Sequence, residues 1–299
     1  MPNTLAHIGL QTPLTKIGLK KAPLQWIALG CIIPDIPWIV QRIFLMFADV
    51  APITLRLYAV TQASLFFCGT LCLAFALLTR KSLFVFLILF VNSFLHLIFD
   101  ACQTKWGNGV NFMAPFSWQT SNFGFFWPED LTTYVFSFMG IAVFILCWSK
   151  AIKTDLLLQR PNKRKTAALL VVLLFYFTSP LVFAARTYDA NLHYSKTLLN
   201  HGQRSGKKIE IDRGSYNNKT QTISCYADNA LNISNPPTTS SGKLSIRGIF
   251  KDEKSIIITE YHTHKQFRDQ ASYAGLLLTL ILWLHSLLRL RYPPTNHKN

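Results

Sequence analysis

The stretch Ser82-Leu-Phe-Val-Phe-Leu-Ile-Leu-Phe-Val-Asn-Ser-Phe-Leu-His96-Leu-Ile-Phe-Asp100-Ala-Cys102 decides how this chain is read. It matches the run of about 20 apolar residues that a helix needs to cross a hydrocarbon layer. His96 and Asp100 interrupt it, and ionisable groups at that depth are costly unless they are paired or used. Residues four apart share one helix face, so both side chains can address a single ion. The competing reading is an interhelical polar pair that fixes packing. Two more candidate ligands lie in apolar surroundings: Asp35 in Ile33-Pro34-Asp35-Ile36-Pro37 and His7 in Leu5-Ala6-His7-Ile8-Gly9. A scattered set of this kind predicts a site that only folding assembles.

Composition agrees with a membrane setting. Half of the 299 residues are hydrophobic, 23 are Phe, and only 15% are charged, where a soluble domain carries about 25%. The net charge of +16 is spread in clusters beside apolar runs, the pattern of topology signals rather than of a nucleic-acid surface. Five of the cysteines fall in or beside apolar segments and behave as small apolar residues, while Cys225 stands alone in polar sequence, so no disulfide framework is expected. Lys16, Lys20 and Lys21 ahead of the apolar run from Ala22 imitate a signal peptide. Pro34, Asp35 and Pro37 interrupt that run, and the segment is expected to be retained.

The expected spans are Leu57 to Leu78, Ser82 to Cys102, Leu131 to Trp148, Thr166 to Ala185 and Ala271 to Leu288, with Ala22 to Phe47 as a sixth, less regular one. Pro34 and Pro37 lack amide donors and crowd the preceding turn, so a helix break is expected there, exposing Asp35 to a cavity. Lys16, Lys20, Lys21, Arg80, Lys81, the linker Lys150 to Lys165, and Arg289, Arg291 and Lys298 all fall on one side if six crossings place both termini in the cytoplasm. That count puts His7 at the inner face and the His96 and Asp100 pair toward the outer one. The set can then meet only through a re-entrant first segment or a deep cavity.

Between the last two spans, Ser, Thr, Asn and charged residues replace the Phe and Leu runs. Lys208-Ile-Glu-Ile-Asp, Thr222-Ile-Ser-Cys-Tyr, Leu244-Ser-Ile-Arg-Gly-Ile and Ser255-Ile-Ile-Ile-Thr read as strands by their β-branched content. The fold class is therefore an all-α polytopic membrane protein of about five to six transmembrane helices with a small β-rich extramembrane domain. Its parts are a helical membrane domain over 1–185, a β-rich outer, periplasmic domain over 186–270, and a last helix with a basic tail over 271–299. His262 and His264 would share one face of a strand at metal-binding spacing. They read as an exposed strand end rather than a metal clip.

Asp100 is followed by Gly107 and then by Val110-Asn-Phe-Met-Ala-Pro-Phe-Ser-Trp118. His7, the Pro34-Asp35 element, the His96-x-x-x-Asp100 pair and this Gly-to-Pro-Phe-Ser tail occur in the order found in the YdjM-like family of bacterial inner-membrane metal-dependent hydrolases. The chain resembles that family over about residues 1–140, most specifically from His96 to Trp118. The resemblance implies a multi-pass inner-membrane protein with metal ligands at His7, Asp35, His96 and Asp100, and Glu129 or Asp130 in Trp127-Pro-Glu-Asp at a further acidic position. It leaves the substrate open.

Two departures from the family pattern matter. Where the family carries a His-Arg-Gly-x-Thr-His-Ser element, this chain has Leu57-Tyr-Ala-Val-Thr61-Gln62-Ala63, without either histidine. Pro-Asp-Ile-Pro also replaces Pro-Asp-Ile-Asp, which removes a carboxylate. Two His and two Asp remain, enough for one divalent ion, with Zn²⁺ expected first and Mn²⁺ or Mg²⁺ as alternatives. The expected chemistry is attack of metal-activated water on an ester or phosphoester, with Asp35, Glu129 or Asp130 as general base. The expected partners are the lipid bilayer and a small-molecule or lipid-linked substrate. A catalytically degenerate relative acting as a membrane binding or assembly protein is the alternative, and a transporter a third reading that no inverted repeat supports.

Overall fold

The computed structural model describes residues 3–227, 230–265 and 267–291; Lys298 of the basic tail lies outside them. Its helices are α1 (Thr4–Gly18), α2 (Leu24–Ile32), α3 (Ile36–Phe47), α4 (Pro52–Gln62), α5 (Leu65–Leu77), α6 (Ser82–Cys102), α7 (Leu131–Ala151), α8 (Lys163–Asp189), α9 (Ser195–Leu199) and α10 (Phe267–Arg291). Among the described residues, five segments are long and apolar enough to cross a membrane: Leu24–Phe47, α6, α7, α8 and α10.

The regular α-helix is interrupted at Pro34 as expected, but the sharp bend falls elsewhere. Pro34 and Asp35 occupy one 3-10 turn, Ile33–Asp35, that joins α2 to α3, and Leu24–Phe47 qualifies as a single 24-residue span. Prolines at the first turn of a following helix are tolerated, because the missing amide would be unpaired there in any case. The run Leu57 to Leu78 is instead two helices, with α4 and α5 bent by 72°. At the corner Ser64 adopts extended backbone and its hydroxyl donates to the Thr61 carbonyl at 2.8 Å, which ends one helix and starts the next.

Helix α1 is a further helix inside the bundle that hydropathy did not anticipate. It runs parallel to α7: Asn3 Nδ2 donates to Ser137 Oγ at 2.7 Å, Gly9 lies against Gly140, and Lys16 Nζ is 3.9 Å from Cys147 Sγ. The small residues permit this approach, since a Cβ at Gly140 would overlap the Leu5 carbonyl and one at Gly9 the Phe136 carbonyl. Small residues at a crossing let helix backbones touch where lipid gives no hydrophobic drive. Asn3 caps the helix, its side chain accepting from the Ala6 amide at 2.9 Å. His7 thereby reaches the level of the α6 C-terminal half, beside His96 and Asp100.

The basic segments gather at one end of the bundle. Arg80 pairs with Asp155, Lys165 Nζ donates to the Thr79 carbonyl at 2.7 Å, and Arg289 donates to the Ile152 carbonyl at 3.1 Å. The opposite end carries a closed barrel of β1 (Lys208–Asn217), β2 (Thr222–Ser224), β3 (Leu231–Ile233), β4 (Gly242–Phe250) and β5 (Ser255–Thr263) in the order β1-β2-β3-β5-β4. All pairings are antiparallel except β3 with β5. Five strands closed in this way leave no sheet edge open. Ile209, Ile211, Ile223, Leu231, Leu244, Ile246, Phe250 and Ile256 fill it. A bulge between Ile211 and Gly214 shifts the register against β4 and turns out Asp212 and Arg213, the latter at φ 53°. Bulges re-aim side chains in this way.

Candidate metal centre

Three elements converge on one buried point. On α6, Asn92, His96 and Asp100 follow one another at intervals of four and all are buried. Helix α1 supplies His7, and the 3-10 turn supplies Asp35. His7 Nε2 is 3.6 Å from Asp100 Oδ1, and His96 Nε2 is 3.7 Å from Asp35 Oδ1 and 3.8 Å from Asp100 Oδ2. The two imidazoles stack with centroids 3.8 Å apart and planes within 3°. Donor atoms of His7, His96 and Asp100 all lie within 4.8 Å of one another, so this group could hold a metal ion.

The outer ring nitrogens are fixed. His96 Nδ1 lies 2.6 Å from the Cys31 carbonyl, which can only accept, so the proton sits on Nδ1 and Nε2 presents a lone pair. Gln11, one turn after His7, satisfies both its ends when its oxygen accepts from His7 Nδ1 at 2.9 Å and its NH₂ donates to the Asn92 carbonyl at 2.8 Å. Such outer hydrogen bonds set tautomer and ring orientation at metal-binding histidines. Asp35 makes no capping hydrogen bond at the start of α3, although it stands in the cap position. Lys105, in the loop after α6, places Nζ 2.9 Å from Asp100 Oδ2, both side chains nearly buried.

The other acidic candidates lie elsewhere. Asp130 precedes α7 and its carboxylate accepts from the Trp127 amide at 2.8 Å. Glu129 meets His264 Nδ1 at 2.9 Å and His262 Nε2 at 3.2 Å, with Trp127 stacked on His262 at 3.7 Å. The two histidines are thus not a solitary strand end; their acidic partner arrives from more than 130 residues away in sequence. Their donor atoms also have metal-like spacing, yet they are closed by their own hydrogen bonds and fasten the barrel to α7. Ser245 Oγ is 2.8 Å from His264 Nε2, which completes a Ser-His-Glu order. That hydroxyl is fully buried, within hydrogen-bond reach of Asp212 and accepting from the Arg213 amide, so it is not a presented nucleophile. Gln62 is also committed away from the cluster, donating to the Tyr176 carbonyl at 3.3 Å.

Burial alone would raise the Glu129 carboxyl, but the bonds from His262 and His264 hold it well below the usual carboxylate range. Burial holds His264 below its ordinary value, against the pull of Glu129. Both shifts act in one direction. A depressed folded pKa gives stability that is present above the unfolded value and lost as pH falls. The contact between barrel and bundle should therefore weaken in acid, first as His264 is drawn to protonate below about 6.5 and then as Glu129 is below about 4.3. Proteolysis of the barrel across that range should accelerate in the wild type. In Glu129→Gln it should be faster at neutral pH and less pH-dependent; an unchanged profile would remove the latch role.

The signals for Gln11 and Asn92 were present in sequence, since each lies four residues from a histidine. Nothing local marked Lys105 or the Cys31 carbonyl. Compared with known proteins, the chain matches no family model, no curated protein and no solved structure.

Proposed function

We propose that this chain is a membrane-embedded, metal-dependent hydrolase of the YdjM-like family, sited in a bacterial inner membrane with its basic end cytoplasmic. The observation that supports this most is the convergence of His7 Nε2, His96 Nε2, Asp35 Oδ1 and Asp100 Oδ1, four buried atoms without a hydrogen-bond partner. Each unsatisfied buried polar atom costs about 1–3 kcal/mol; one divalent cation between His7, His96 and Asp100 would satisfy three of the four and lie beside the Asp35 carboxylate. Two imidazoles and one carboxylate, with a fourth position open to water, suit Zn²⁺ first, with Mn²⁺ or Mg²⁺ as alternatives.

A cation held there supplies Lewis-acid chemistry, acidifying water and polarising an ester or phosphoester oxygen. The protein's own residues do the rest. His7 and His96 are locked as ligands by Gln11 and Cys31. Asp35, less buried than Asp100, is the group that takes a proton from attacking water. Lys105 neutralises Asp100 and turns an ammonium toward arriving substrate.

Elemental analysis of detergent-purified protein tests the reading. About one transition-metal ion per wild-type chain is expected, absent from His96→Ala and His7→Ala. Wild type that stays metal-free after supplementation with zinc and manganese would favour the second reading, a catalytically silent relative that binds or assembles partners. One observation supports that alternative: the stretch that would carry the family's extra histidines holds Gln62, bound to Tyr176 on α8.

A further inference from the structure

Asp100 and Lys105 also line a cavity of about 360 Å³ between the helical bundle and the barrel. Its walls differ in character. Leu45, Val60 and Leu97 with Trp38 form an apolar side, and α3 continues outward from it with Ile43, Phe44, Met46 and Phe47 exposed. The same lining carries six cations, Arg42, Arg56, Lys105, Arg213, Lys243 and Arg268, against the carboxylates Asp100, Asp212 and Asp269.

Part of that charge is answered within the protein. Lys105 pairs with Asp100, and Arg213 reaches Asp269 at 3.2 Å and Glu129 at 3.7 Å. Arg56 is different. Its Nε donates to His193 Nδ1 at 2.9 Å, and its guanidinium lies over the Tyr226 ring at 4.1 Å and the Trp38 ring at 5.6 Å. Among the described residues no carboxylate forms an ion pair with it. One buried donor on the same walls, Asn111 Nδ2, has no hydrogen-bond acceptor, and Arg213 Nη1 has only the 3.7 Å ion pair with Glu129. A half-enclosed chamber with more cations than carboxylates and an unmet amide donor is built for an anion rich in acceptor oxygens. A neutral carboxylic ester would bring no charge to a lining with more cations than carboxylates. A phosphoryl group brings the charge and the tetrahedral array of oxygens that guanidinium forks bind.

We propose that the cavity receives the phosphoryl group of an amphiphilic phosphate ester, with Arg56, Arg213 and Lys105 around the head and the apolar tail leaving past Leu45 along α3. This deepens, and as a reaction rests on, the hydrolase reading of the His7, Asp35, His96 and Asp100 cluster. The reaction is phosphoester hydrolysis. A water oxygen bonds to phosphorus and the bridging P–O bond breaks. One water proton passes through Asp35 to the leaving oxygen and the other stays on phosphate, so a phosphate monoester and water give an alcohol and hydrogen phosphate. The bulge that turns out Asp212 and Arg213 brings the barrel into the site, so the outer domain completes the head-group chamber.

The test uses the full chain in detergent, with calorimetric binding of inorganic phosphate, hexyl phosphate and hexadecyl phosphate, and metal content measured on the same sample. Binding of the phosphates, weakened about tenfold or more in Arg56→Gln through loss of charge-assisted bonds, is expected. Lys243→Gln, on an exposed barrel position, should weaken it in the same direction without endangering the fold. Much tighter hexadecyl phosphate supports a lipid source, and equal affinity for inorganic and hexyl phosphate supports a soluble one. No phosphate binding by folded wild type, or binding untouched by both variants, overturns the proposal. Phosphate bound by metal-free protein keeps the anion chamber and removes the hydrolase; metal without phosphate binding does the reverse.

Discussion

Gly140→Val should melt well below wild type in detergent and purify without metal. A Cβ at this position would occupy the space of the Leu5 carbonyl, and backbone on both sides of the crossing leaves no flexible side chain to yield. Overpacking of this kind costs typically 1–3 kcal/mol, and the rigid setting puts the expected loss at the upper end, about 3 kcal/mol. The functional loss should be larger than the loss in stability, because α1 must move away from α7 and takes His7 with it. Gly18→Ala, at a position with nothing within 4 Å of the added carbon, is the control and should match wild type. A Gly140→Val protein with wild-type melting and full metal content would show that α1 does not dock at this crossing.

Asp100→Asn should abolish metal binding and also destabilise the protein by about 3–5 kcal/mol, the usual cost of stripping one partner from a buried ion pair. The two losses have different origins and can be separated. Adding Lys105→Met to Asp100→Asn removes the stranded ammonium, so melting should recover most of the way while metal binding stays lost. Lys105→Met alone should bind metal more tightly than wild type, since Nζ no longer occupies Asp100 Oδ2. Melting curves and metal titrations on the three variants check this. Wild-type stability of Asp100→Asn would mean the pair with Lys105 is not formed.

The readable parts of the sequence were those whose signal is local. Ser82–Cys102 is one helix with the bounds its hydropathy predicts, and His96 and Asp100 share a face because 3.6-residue periodicity requires it. Four of the barrel strands follow β-branched runs, whereas β3 is three residues long and carries no comparable pattern. Helix α1 escaped because a hydropathy scan seeks long apolar runs and this helix holds Gln11, Thr12, Thr15 and Lys16 in 15 residues. The corner at Gln62 to Ser64 escaped for the opposite reason, since apolar residues continue on both sides and only a Thr61 and Ser64 hydrogen bond marks the turn. Glu129 pairs with histidines more than 130 residues away, and contacts at that separation are a property of the closed tertiary structure.

The docking of α1 sets an order for biogenesis. At 15 residues the helix is shorter than the run of about 17–25 that inserts as a span, so it relies on neighbours made later. One of those neighbours is Gly140, and another is Gly275 on the last helix, where a Cβ would crowd Leu5 and Thr4. Helix α1 therefore finds its complete seat only after α10 is synthesised. A chain arrested before that point holds the His96 and Asp100 pair without a seated His7. Seating of His7 beside His96 and Asp100 thus waits for α7 and α10, which follow it in the chain.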